Sequence, residues 1–357
     1  MASLLLVYTL VAYGCANKHP VPLDLSYPTK PMQLPRDLAA HDWAQTEWWY
    51  YTGHLKAKDG TEYGFELTFF RHRTDLDKNL ELTEALGKTG YMGHFAMLDE
   101  ATGKYLHESL IEPQGKNANA STQKYAVSMD KWSAGGDANS QHIRAAAPKM
   151  SLELTFKPLK PAVLHGGHGV VDKGNGLANY YMSYTRLAAS GTISFEGKKK
   201  EVEGIAWFDH EYGYMDGVTR RGWDWYSIQL DDNTEYMIYA ISRPDHTKEA
   251  SSRACKIDQA GAELCIPFSD VRVDPLGFWQ SPATKAQYPS GWHMVIGQFG
   301  LDVDILPTAA DQEFRFMNRA YWEGSCKVIG KPANGLSYTE LVGYARSEFM
   351  NRVAGGD

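Results

Sequence analysis

Apolar positions in this chain come in short runs rich in Tyr, Trp, Phe, Val and Ile, broken at near-regular intervals by Gly, Asn, Asp and Pro. That texture belongs to strands joined by tight turns, and helical periodicity is almost absent. A first series of predicted strands covers 47–57, 62–73, 91–99, 104–111, 125–129, 142–147, 150–157, 180–187, 191–195 and 200–209. A second covers 224–230, 235–242, 253–257, 268–273, 293–298, 301–306, 320–327 and 336–343. Lys58-Asp59-Gly60, Ala101-Thr102-Gly103 and Asp231-Asp232-Asn233 supply turn residues for up-and-down connections. Few segments show helical periodicity, and 75–84 is the best of them.

Gly213, Gly217 and Gly222 interrupt the aromatic runs between the two series, so the chain is expected to divide there, into 42–217 and 218–357. Antiparallel sheets with this many aromatic strands close on themselves rather than leave long edges exposed. The expected fold is therefore all-β, with two antiparallel barrels in tandem. Strand parity then sorts the faces. Tyr63, Phe65, Leu67, Phe69 and Arg71 share one face of their strand. Trp207, Asp209 and Glu211 share a face opposite to Phe208, His210 and Tyr212, so Asp209 and His210 should not touch. Trp223, Trp225 and Gln229 form one set and Asp224, Tyr226 and Ile228 the other, and the first set suits a seam between domains.

Composition narrows the class. The 357 residues suffice for two cores, and aromatic residues make up 12%. The net charge of −7 is dispersed, with no basic block beyond Lys198-Lys199-Lys200, which argues against a nucleic-acid partner. Residues 1–15 are an apolar run too short to span a bilayer, ending in Ala12-Tyr13-Gly14-Cys15. This has the outline of a lipoprotein signal, with Cys15 as the lipidated residue and 16–41 as a Pro-rich tether. The expected location is the cell envelope, periplasmic and membrane-anchored; ordinary export is the alternative. Cys255 and Cys265 flank a hairpin turn in a way that permits a bridge, and Cys326 reads as a small buried residue.

The most chemically furnished segment is 206–213, AWFDHEYG, where Asp209, His210 and Glu211 stand among large aromatics. Charged groups on a buried strand mark either a structural network or a working site. In the working reading Trp207 and Phe208 desolvate Asp209 and raise its pKa, so that it donates a proton, with His210 or Glu211 to orient water and Tyr226 nearby. In the structural reading the same acids pair with Arg71, Arg186 or Arg220. His165-Gly166-Gly167-His168 is a weak metal candidate in a glycine-rich loop, so no metal centre is expected. The chain lacks a Gly-x-Ser-x-Gly elbow, a His-Glu-x-x-His motif, a phosphate loop and a dinucleotide fingerprint, and no cofactor is expected.

Five motifs taken together, EWWYYTGHL at 47–55, GHFAMLD at 93–99, YYMSYTRL at 180–187, Ser190-Gly191 and AWFDHEYG, resemble the AttH/carotenoid 1,2-hydratase family. The resemblance runs from about 42 to 343 and implies two lipocalin-like, calycin-type barrels with a cavity for a hydrophobic ligand. Trp49, Phe69, Arg71, His94, Trp207 and Trp223 are the expected lining. The resemblance also implies that Trp48 and Trp49 plug a barrel end and pack on Arg186, with Tyr321-Trp322-Glu323-Gly324 as a second such plug. Family members of known chemistry add water across a terminal double bond of an acyclic carotenoid, and some fungal relatives guide pericyclic ring closure. In the hydratase branch an aromatic-x-Asp pair, here Trp207 and Asp209, serves protonation, usually with Tyr in the first place. An upstream His-x-Trp pair falls by spacing near Tyr180 and Met182, which match neither. The implied partner is a lipid, carotenoid or terpenoid. Two classes of function follow: a cofactor-free hydratase or isomerase, or a non-catalytic envelope lipid carrier. A secreted hydrolase would rest on family naming alone.

Overall fold

Strands buried on one face alternate, whereas strands covered on both faces do not, and this chain contains both kinds. Gln141–Ala147 alternates buried and exposed positions along its length. Thr46–Ala57, Glu62–His72 and Gly90–Asp99 are buried at nearly every position. The difference locates a layer of protein on the outer side of these three strands. The computed structural model describes residues 30–76, 86–115, 117–174, 176–214, 222–243 and 247–345.

The first sheet is antiparallel, in the order Lys104–Pro113, Gly90–Asp99, Glu62–His72, Thr46–Ala57, Lys198–Gly213, Leu177–Phe195, Met150–Pro158, Gln141–Ala147, Trp132–Gly136, Ala126–Met129 and Ala118–Ala120. Val163–Leu164 and Val170–Gly174 pair with Leu177–Phe195. The sheet curls round one core until Phe95 meets Trp132 across the opening, with ring centroids 5.7 Å apart. The second sheet runs Glu263–Pro267, Arg253–Ile257, Glu235–Ile241, Trp223–Leu230, Gly335–Val342, Arg319–Lys331, Leu301–Pro307, Trp292–Ile296 and Arg272–Pro275, with Glu313–Phe316 beside Arg319–Lys331. It wraps a second core built on Trp292, Trp322 and Tyr288. In each sheet the first strand pairs with the last long one, Thr46 opposite Gly213 and Trp223 opposite Val342.

The two sheets face each other across a third buried layer that includes Tyr50, Tyr181, Trp207, Trp225, Met237, Tyr239 and Tyr338. This seam explains the doubly buried strands. Trp223 and Trp225 point into it, as parity predicts.

Several sequence expectations shift. The runs at 180–187 and 191–195 belong to one strand, Leu177–Phe195, and a bulge between Tyr184 and Leu187 sets Thr185 and Arg186 against the single residue Trp207. Residues 268–273 split into a 3-10 turn, Phe268–Asp270, and the strand Arg272–Pro275. Thr74–Leu76 is a 3-10 turn, and the rest of the helix expected over 75–84 lies outside the described residues. So do Cys15, most of the expected tether and nearly all of the segment in which the chain was expected to divide. Cys255 and Cys265 lie directly opposite on adjacent strands and form a disulfide, and Cys326 is buried and free.

Candidate functional site

Parity sends the ionisable cluster of AWFDHEYG to two separate places. Asp209 enters the seam, where it is fully buried. Ser183 lies directly opposite on the neighbouring strand, and its Oγ bonds Asp209 Oδ1. Tyr181 donates its hydroxyl to Oδ2 at 2.7 Å, and the Trp207 indole donates to Oδ1 at 2.6 Å. Trp225 from the second sheet donates to Tyr181 at 3.3 Å. Every donor is neutral. Burial pushes Asp209 up to about 6, against the opposing pull of Ser183, His165, Tyr181 and Trp207.

Behind Ser183 the chain of contacts continues. His165 Nε2 lies 2.6 Å from Ser183 Oγ, and His165 Nδ1 lies 2.5 Å from Glu263 Oε1 of the second sheet. The Gly166 backbone N–H donates to Glu263 Oε2 at 3.1 Å. Gly166 and Gly167 have φ of 71° and 82°, a left-handed turn that glycine adopts without strain and that aims His165 inward. Ser183 has one hydroxyl hydrogen for two neighbours, so when it donates to Asp209 its oxygen is left to meet His165 Nε2.

His210 points the opposite way, into the end of the first core. Its Nε2 lies 3.0 Å from Glu47 Oε1, and His41 Nδ1 lies 2.8 Å from the same oxygen. The His41 backbone N–H donates to Glu47 Oε2 at 3.0 Å. Burial works against the Glu47 carboxylate, but the bonds from His210 and His41 hold it down at about 2. Trp49 stacks on His210, and Arg71 donates to the His41 carbonyl at 3.0 Å and to Asp42 at 2.8 Å. His41, Glu47 and His210 offer three metal-capable atoms within 4.8 Å of one another, each already engaged in this hydrogen-bonded plug. Among the described residues Cys255, Glu263 and Cys265 form the other such group, and there both sulfurs are bound in the disulfide.

Of the residues expected at the site, Asp209, Trp207, Trp223 and His94 reach the seam. Glu211 also faces it but is held by Lys173 at 2.8 Å and by Asn179 at 2.8 Å, a structural ion pair. Tyr226 is corrected: it lies in the second core against Trp292, because its neighbour Trp225 takes the seam-facing position. His210 is corrected for the same reason of parity. Trp49, Phe69 and Arg71 belong to the first core and its plug, where Phe69 packs fully buried opposite Trp49. Arg186 does not meet Trp48 or Trp49; the bulge turns it to Glu235, with Nε 2.5 Å from Oε1. An open cleft of about 480 Å3 lies elsewhere, lined in part by Leu34, Pro35, Ala162, Leu164 and Tyr184, and contains none of the expected site residues.

Three further acids line the seam. Glu66 and Glu323 are fully buried, and each accepts a phenol from the other sheet: Tyr321 bonds Glu66 Oε1 at 3.2 Å, and Tyr50 bonds Glu323 Oε1. The second oxygen of each has no partner. Glu340 accepts the Trp223 indole at 2.8 Å. Burial raises Glu66 to about 8 and Glu340 to about 7, with neighbouring carboxylates adding to the effect. Burial also keeps His94 neutral, pushed down to about 3.

Two facing antiparallel sheets with a buried acid in the seam define a tandem lipocalin-like protein. The AttH-like family model matches residues 26–344, and the chain belongs to that family. An AttH crystal structure from Nitrosomonas europaea is 30% identical and superposes with a TM-score of 0.80, over 90% of this chain and all of that one. Kievitone hydratase from Nectria haematococca shares the fold at 15% identity and a TM-score of 0.70, over 89% of this chain and 96% of that one. CghA, solved with Sch210972, shares it at 12% identity and 0.55, over 90% and 96%. No curated protein sequence matches the chain.

Proposed function

We propose that the seam receives an apolar, unsaturated ligand and that Asp209 gives it the proton for cofactor-free addition of water. The observation that carries this reading is a fully buried aspartate held by three neutral donors, without a Lys or Arg partner among the described residues, and connected through Ser183 to a histidine. A carboxyl held near 6 keeps a useful fraction of its proton near neutrality and remains strong enough to donate it. The rings of Trp207, Trp225 and Tyr181 surround it with the π-faces that stabilise a developing carbocation. The carboxylate left on Asp209 then takes a proton from the water that adds, which restores the acid, while Ser183, backed by His165 and Glu263, holds that carboxylate in place. Glu211 lies on the same face but is neutralised by Lys173, which leaves the acid role to Asp209. The substrate class follows from the wall: long, apolar and alkene-bearing, such as an isoprenoid. On this reading Cys15 holds the protein at a membrane, where such molecules reside.

The test is incubation of purified protein with a panel of acyclic isoprenoid alkenes in oxygen-18 water, read by mass spectrometry. Wild type should incorporate label, and Asp209→Asn should lose it by roughly 100-fold or more while retaining the fold and the bound ligand. Undiminished incorporation in the variant sinks the assignment, and bound but unconverted ligand in wild type would make the protein a carrier.

A further inference from the structure

We propose that the mouth of the seam binds an organic ammonium group, so that the ligand is a cationic amphiphile whose head sits among Trp48, Trp223 and Glu340 while its chain runs inward. This deepens the reading of the seam as an apolar site and rests on it.

The mouth is defined by parity and exposure. Trp48 and Phe70 of the first sheet, and Trp223, Glu340 and Val342 of the second, all project into the seam from one end and are only half-buried. Two residues further in on their strands, Tyr50 and Trp225 are buried and meet edge to face at 5.4 Å. Aromatic faces grade into a closed interior lined by Trp207, Tyr181 and Tyr239.

The charge pattern supplies the ligand's sign. Asp209, Glu66, Glu323 and Glu340 all face the seam, and among the described residues none of the four forms an ion pair with Lys or Arg. Among the described residues the cations nearby are committed elsewhere: Lys173 to Glu211, and Arg186 and Lys160 to Glu235. Glu340 and Glu323 stand directly opposite on adjacent strands, an arrangement that like charges disfavour. Glu66 and Glu323 each keep one buried oxygen without a partner. A wall of aromatic rings beside under-neutralised carboxyls is the chemistry that recognises ammonium and quaternary ammonium groups. A neutral ligand leaves these acids protonated, whereas a cation offers them a counter-charge.

The raised carboxyls give the proposal a second signature. Glu340, Glu66 and Glu323 hold protons that a bound cation would make easier to lose, so cation binding should release protons to solvent.

The experiment uses the full chain and three single-chain probes of equal length below their micelle concentrations: dodecyltrimethylammonium, dodecanol and dodecyl sulfate. Binding is followed by tryptophan fluorescence and by calorimetry in two buffers of different ionisation enthalpy. The ammonium probe should bind at least tenfold more tightly than the alcohol, with proton release, and Glu340→Gln should abolish that preference. Equal or weaker binding of the ammonium probe, or tighter binding without proton release, overturns the cation assignment while the apolar seam survives. If no probe binds, the seam itself is not the ligand site and both readings fall.

Discussion

Glu47 and Asp209 are both buried carboxyls from the same neighbourhood of the first sheet, yet their surroundings drive them apart, to about 2 and about 6. Glu47 receives two imidazole rings and a backbone N–H, and these hold its charge. Asp209 receives hydroxyls and an indole, which do not offset burial. The sign of Glu47's contribution follows: its folded pKa lies below the ordinary 4.5, so the stability it provides is complete above that value and lost as pH falls toward 2. Glu47→Gln should therefore destabilise by about 3 kcal/mol at neutral pH and should flatten the acid limb of a urea-denaturation series between those pH values. Parity in the sequence already separated Asp209 from His210 and Trp225 from Tyr226. The roles given to His210 and Tyr226 did not follow that parity, and the structure restores it. Ser183 was within reach of the same reasoning, since it falls opposite Asp209 once the two strands are paired.

At the scale of elements, local pattern revealed most strands because turn residues and aromatic runs punctuate them. Short strands such as Val163–Leu164 and Glu313–Phe316 carry too few residues to show a period, and the bulge at Thr185 and Arg186 leaves no local mark. Glu263 was beyond sequence reasoning altogether: it meets His165 across 98 residues, from a strand of the other sheet. That strand belongs to the hairpin closed by Cys255 and Cys265, ten residues apart. The chain-entropy cost of opening such a loop is about 3 kcal/mol. Replacing both cysteines by serine should lower the thermal midpoint by about that much stability, and reducing agent should then have no further effect on the variant. A variant as stable as the oxidised wild type would show that the bridge does not constrain this hairpin.

For the whole molecule, the seam is the region where sequence was least informative, since strands buried on both faces hide their periodicity. It is also where the molecule's pH response should reside. Glu66 has a folded pKa of about 8 against an ordinary 4.5, so the folded state keeps a proton that the unfolded chain gives up. Stability therefore falls as pH rises from 4.5 toward 8. Glu66→Gln, which retains the shape without the charge, should raise the thermal midpoint by a few degrees at pH 8 and have little effect at pH 4. A midpoint lowered equally at both values would show that the carboxyl is needed as a hydrogen-bond partner and not burdened by its ionisation.

The exchange of phenols, Tyr321 to Glu66 and Tyr50 to Glu323, bears on modularity. The two sheets repeat one closure, first strand against last, and look like interchangeable units. Yet each carries an acid whose covering hydroxyl was supplied by the other. Neither half could be borrowed or shuffled alone without losing the phenol over its acid, which would leave Glu66 with Thr68 alone and Glu323 without its cover, so the twofold plan does not make the halves interchangeable.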